Sequence, residues 1–241
     1  MITDILTIIW KEWKEIFAQY RNFDISLAIR IIALGVTSVL PVLLAREDWL
    51  TAPIVMMVAI WFPLLTVSEI VADTFAGERE RHTLQTLLAS RLSDFSILIG
   101  KVLSTGIYGW ANVILMLVFG LIAANIIDWG HGISFYSFPI LIGSLLNGLL
   151  ISLATSLSGV VISIKATTVK KAQQNLMSAF MMVVLSMYVV MKSIPMDWWR
   201  IQPGGSIWNL ILFSVLFLLF IDAILFIIAK KLFRREKLIL D

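Results

Sequence analysis

Six runs of about 20 or more mostly apolar residues fill this chain, and their length limits what it can fold into. They cover residues 25–45, 50–71, 98–124, 138–164, 174–193 and 207–229. A helix rises about 1.5 Å per residue, so roughly 20 apolar residues cross a hydrocarbon core of about 30 Å. Of the 241 residues, 59% are hydrophobic and only 15% charged. Soluble domains carry about 25% charged residues. A soluble fold of this length has too little interior for so much apolar surface. The predicted fold class is therefore an all-α membrane protein with six transmembrane helices. The chain has no cysteine, which excludes disulfides, thiol chemistry and Cys-based zinc sites. The first ten residues lack a basic stretch, and no small-residue cleavage site follows them, so no cleavable leader is expected.

The positions of Lys and Arg orient the bundle. With both termini cytoplasmic, the inner segments hold Lys11, Lys14 and Arg21; Arg79, Arg81, Arg91 and Lys101; Lys165, Lys170 and Lys171; and Lys230, Lys231, Arg234, Arg235 and Lys237. The outer segments hold only Arg46, Lys192 and Arg200. The net charge of +3 thus reflects topology rather than nucleic-acid binding. Three parts follow: an interfacial segment 1–24, a six-helix domain 25–229 and a basic cytoplasmic tail 230–241.

Residues 4–20 read as an amphipathic helix. Ile5, Ile9, Trp13, Ile16 and Tyr20 share one side, and Lys11, Glu12, Lys14, Glu15 and Gln19 the other. Such a helix lies in the inner interface. On the outer side, 125–137 and 194–209 are short and aromatic, as an interfacial belt requires. The second of these could also dip into the outer leaflet.

The most informative stretch joins spans two and three, about 73–96. Glu78-Arg79-Glu80-Arg81 places four alternating charges in a row, and Thr83, Leu84, Leu87 and Leu88 then form an apolar stripe at helical spacing. The pattern predicts a short amphipathic helix on the cytoplasmic surface, its charges suited to ion pairs and its stripe to a groove. Ser93 or Asp94 is placed to cap the next helix. A plain cytoplasmic loop obeying the positive-inside rule would account for the same charges.

The series Asp73, Glu78-Arg79-Glu80-Arg81, Thr83-Leu84, Leu87-Leu88 and Gly100-Lys101 resembles the signature of the permeases of ABC type-2 exporters, as does Lys171-Ala172-Gln173-Gln174 at the mouth of span five. The chain departs from that pattern at His82, usually Gly, at Gln85, usually Glu, and at Arg91-Leu92, where Pro is common. The resemblance implies that Glu78, Arg79, Glu80, Arg81, Thr83, Leu84, Leu87 and Leu88 lie at or near a joint with a separate ATPase. It further implies two ATP-binding subunits, which hold the ATP and Mg, and a second permease, the same chain or a homologue, in the plasma membrane. The chain itself contains no G-x-x-x-x-G-K-[ST]. No cofactor or metal is expected on it.

Ionisable groups within spans are costly, and each demands a role. Arg30 lies in span one, Asp222 in span six, and Glu69 near the inner end of span two with Asp73 one turn later. Arg30 is expected to pair with Asp222 or Glu69, either holding the bundle together or lining a pathway. A non-transporting scaffold for an ATPase and an ion-coupled secondary transporter are the competing readings. The latter calls for broken helices at matched places, and only Pro53 and Pro63 of span two suggest a break. No nucleophile–base set supports an enzyme.

Overall fold

A computed structural model describes residues 2–20, 32, 35–43, 49–51, 53–127, 132–193 and 207–233. Its described part is helical, with no strand among the described residues. In chain order the helices are α1 (Ile2–Tyr20), α2 (Ile54–Glu80), α3 (Leu84–Leu88), α4 (Asp94–Ile127), α5 (Phe138–Lys165), α6 (Val169–Ser193) and α7 (Ile207–Leu232). Residues 35–43 are also helical. Among the described residues, four helices are long and apolar enough to cross a membrane: α2, α4, α5 and α7. These match four of the six predicted spans. The fifth predicted span falls within α6, which is not one of the four, and most of the first lies outside the described residues, as does 194–206.

α2 and α4 run past their apolar stretches toward α3. α2 continues from the membrane to Glu80 without a break, and Pro63 sits inside it rather than ending it. Pro53 occupies the position just before its first residue, where a missing N–H costs nothing. Span two is thus not interrupted. The chain turns at 81–83 and forms only five residues of α3 before α4 begins. Glu78 to Glu80 therefore end the spanning helix and do not begin a separate surface helix. Ser93 supplies the cap of α4: its Oγ accepts the Ser96 N–H at 3.1 Å.

α5 is the central helix, packed on α2, α4, α6 and α7. Small residues permit the close approach. A methyl group on Gly159 would overlap the branched side chain of Val71 on α2, and one on Gly109 would overlap Val67. Two apolar clusters result. The inner one includes Ile8, Val71, Phe75, Leu84, Ile97, Leu157, Val160 and Leu176. The outer one includes Trp49, Val55, Phe62, Val113, Met116, Ile140 and Ile211. α7 is the opposite case, with Phe213, Phe217 and Phe220 all exposed. Aromatic exposure on that scale suits lipid as the surrounding solvent.

α1 packs along the first turns of α4, with Ile8 against Gly100. Its buried side is Ile8, Glu12 and Ile16, while Ile2, Leu6, Trp10 and Phe17 are exposed. The sequence placed Glu12 on the polar side. It is 7% exposed because a buried cation on α4 holds it.

Candidate functional site

The site lies where α1, the end of α2 and the start of α4 meet. Its centre is Lys101, two turns into α4 and 1% exposed. A bare ammonium in such a place is strongly disfavoured, so its surroundings must answer the charge. They do so with three oxygens: Lys101 Nζ donates to Glu12 Oε1 at 2.8 Å, to Glu78 Oε1 at 3.1 Å and to the Thr74 carbonyl at 2.7 Å. The ammonium also sits 4.9 Å from the centre of the Phe75 ring. A second cation closes the cluster: Lys11 Nζ donates to Glu78 Oε1 at 2.7 Å and lies 3.3 Å from Glu15. Burial works against its charge. The hydrogen bond to Glu78 and the fields of Glu12, Glu78 and Glu15 outweigh that, so the Lys11 pKa rises above its ordinary value.

The four charges at the end of α2 each go to a different place. Glu78 is buried and receives Lys11 of α1 and Lys101 of α4. Arg79 caps the C-terminus of α5, donating to the Ala166 carbonyl at 2.8 Å and to that of Ile164 at 3.0 Å. Glu80 accepts the N–H of Val169, first residue of α6, at 3.0 Å. Arg81 turns back to Asp73. That bridge lies over Gly77, where a methyl would overlap both the Asp73 carboxylate and the Arg81 guanidinium. Burial opposes the Arg81 charge, but the hydrogen bond to Asp73 prevails and its pKa also rises.

The turn beyond is tight. Thr83 donates its N–H to the Glu78 carbonyl at 2.9 Å and its hydroxyl to the same oxygen at 3.3 Å. His82 has φ 57°, the left-handed region that favours glycine. This is the position where the resembling family usually carries Gly. Leu84 is buried in the inner cluster and Leu87 packs against it, while Thr83, Gln85 and Thr86 face out. The side chain of Leu88 lies outside the described residues.

Three participants were not given their role by the sequence. Lys101, though part of the Gly100-Lys101 pair, read as one more inner cation, and Glu12 and Lys11 as the wet side of α1. The usable signal was Lys101 itself, a lone cation inside the apolar stretch that opens α4. Ser163 is a fourth. Its hydroxyl sits in the backbone ladder of α2, accepting the N–H of Phe75 at 3.1 Å and of Ala76 at 2.9 Å and donating to the Ala72 carbonyl at 3.0 Å. These bonds tie α5 directly to the backbone of α2.

The predicted intramembrane pair is not described. Arg30 and the side chain of Glu69 lie outside the described residues. Both carboxylate oxygens of Asp222 are buried without a hydrogen-bond partner among the described residues. Nor do the described residues contain a group of three His, Cys, Asp or Glu able to hold a metal. The cluster holds carboxylates and ammonium groups that pair across α1, α2 and α4. Its arrangement joins these helices.

A profile of the family described as "ABC-2 family transporter protein" matches residues 48–234. A comparison with curated proteins finds no match.

Proposed function

The chain belongs to the ABC-2 transporter family, and on that premise we propose that it is the channel-forming half of an exporter driven by ATP hydrolysed on a separate subunit. Family membership makes it a multi-pass membrane permease that associates with an ATP-binding subunit. The proposal adds the direction, the docking surface and the cargo. The permease sits in the plasma membrane with both termini in the cytoplasm, pairs with a second permease, and rests on two ATPases that hold ATP and Mg. The cargo is a hydrophobic or amphipathic solute such as a drug, a peptide or a lipid-like molecule, in keeping with spans that carry few charges.

The observation that carries this reading is the distribution of the charges at 78–81. Through them the end of α2 is fastened to α1, α4, α5 and α6. A force applied at the α2–α3 corner reaches four further helices without passing through a flexible segment. The outward side chains of Gln85 and Thr86 are the natural seat for the ATPase, with Leu84 and Leu87 bracing α3 from beneath.

Glu78 and Arg81 are poor probes of docking, because their loss disturbs the bundle itself. Gln85→Trp and Thr86→Trp change only the outward side. In the complex reconstituted in lipid, both are expected to weaken ATPase binding and abolish solute-stimulated hydrolysis, with the melting temperature of the permease unchanged. Hydrolysis that stays coupled in both variants would end the docking assignment. Hydrolysis without solute movement in the unaltered complex would favour the scaffold reading.

A further inference from the structure

Beside the buried cluster is a cleft of about 500 Å³ between α1 and the α2–α3 corner, lined by Lys11, Glu15, Ala18, Glu78, Arg81 and Thr83. We infer that this cleft receives one basic side chain, lysine or arginine, from the ATP-binding subunit. The inference rests on the docking reading above and assigns it a specific pocket.

Two observations point to a cation. The first is an orphaned acceptor. Both ammonium groups that reach Glu78 use Oε1, while Oε2 is buried with no hydrogen-bond partner among the described residues. A buried carboxylate oxygen left bare is costly, and native structures rarely leave one unanswered. The second is the balance of charge. Among the described residues, Lys11, Lys101 and Arg81 face Glu12, Glu15, Glu78 and Asp73, three cations against four carboxylates. Each cation is already engaged, so the surplus is negative and lies beside the cleft.

The place and composition select the donor. The cleft borders Thr83, next to the turn on which α3 is built, so a protein seated on α3 covers it. Four of its six lining residues are charged, which disfavours an acyl chain or an apolar solute. A metal ion needs several converging oxygens, and Glu78 offers one free atom. A long basic side chain supplies a donor at the end of an apolar stem, and the exposed methyl of Ala18 gives that stem a wall.

The test uses the full chain and its co-purified ATP-binding subunit in lipid nanodiscs, with binding titrated at low and high salt. Ala18→Trp fills the cleft and leaves every charge in place. Glu78→Gln removes the unanswered charge at constant shape, and Glu15→Gln does so at an exposed position should Glu78→Gln fail to fold. Ala18→Trp is expected to weaken subunit binding about tenfold without changing the melting temperature of the permease alone. The Gln variants are expected to flatten the salt dependence of binding. Unaltered binding by Ala18→Trp, together with weakened binding by Thr86→Trp, overturns the inference while the docking reading stands; the cleft then holds only water. If Thr86→Trp is also without effect, the docking reading itself falls.

Discussion

The two ends of the bundle are fastened by different chemistry. At the inner end, Lys101, Glu12 and Glu78 form a buried ionic cluster closed by the partly exposed Lys11, with Arg79 and Glu80 reaching helix ends across the bundle. Among the described residues, the links at the outer end are neutral. Trp49 Nε1 donates to Tyr136 Oη at 3.1 Å, and Tyr136 Oη donates to the Leu117 carbonyl at 3.0 Å. Asn125 holds both the N–H and the carbonyl of Ser134, at 2.7 and 2.9 Å. A buried ion pair adds little net stability, but loss of one partner leaves an uncompensated charge, whereas a neutral hydrogen bond is cheap to lose. The inner end therefore tolerates displacement as a unit and resists being taken apart. The outer end can separate one contact at a time.

Lys101→Met tests the contrast most severely. It strands Glu12 and Glu78 and is expected to cost about 3–5 kcal/mol, seen as a large fall in melting temperature or resistance to proteolysis. The triple variant with Glu12→Gln and Glu78→Gln removes the stranded charges and is expected to recover most of that loss. A single variant as stable as the unaltered chain would show that the cluster is not buried as described. Arg79→Met removes two charged hydrogen bonds from the end of α5 and is expected to cost about 2 kcal/mol, with hydrogen exchange rising first at 164–168.

The outer end should respond less. Tyr136→Phe is expected to cost about 1 kcal/mol. Burial, partly offset by the Trp49 hydrogen bond, pushes the Tyr136 phenol up to about 12 from 10.0. Because the folded-state value is the higher one, its contribution is complete below pH 10.0 and is lost as pH rises through about 12. Tyrosinate absorbance should therefore show a late step that Tyr136→Phe abolishes. Lys11 follows the same sign at the inner end: its contribution is complete below 10.5 and lost only as pH climbs beyond. Neither end should loosen between neutral pH and 10. The smallest effect concerns strain at the corner. His82→Gly relieves a left-handed residue and is expected to stabilise by up to about 1 kcal/mol. A destabilised variant would show that the imidazole makes a contact worth more than the strain.

How much could be read beforehand varies by element. Spans two, three, four and six were legible because length and apolarity alone define a membrane helix, and 138–164 and 207–229 fall within a few residues of the observed helices. The Ser93 cap was legible because a hydroxyl just before an acidic first turn has few other uses. The destinations of Glu78 to Glu80 were not. A run of alternating charges reads as a wet surface whichever way each residue points, and their partners lie 23 to 89 residues away. Glu12 was misplaced for a related reason. Helical periodicity sorts residues by type, and it has no means of recognising a buried glutamate whose partner is on another helix.

By itself, the sequence determined that this chain lives in lipid and that its corner at 73–96 is special. Each follows from a local property: the length of apolar runs or a contiguous motif. Only the tertiary structure decided that Glu78 turns inward to Lys101 while Arg79 and Glu80 reach the ends of other helices, and that Ser163 touches the backbone of α2. Those depend on which helices meet. That is settled by where Gly109 and Gly159 let backbones close on Val67 and Val71, a fit in three dimensions that no single stretch of residues contains.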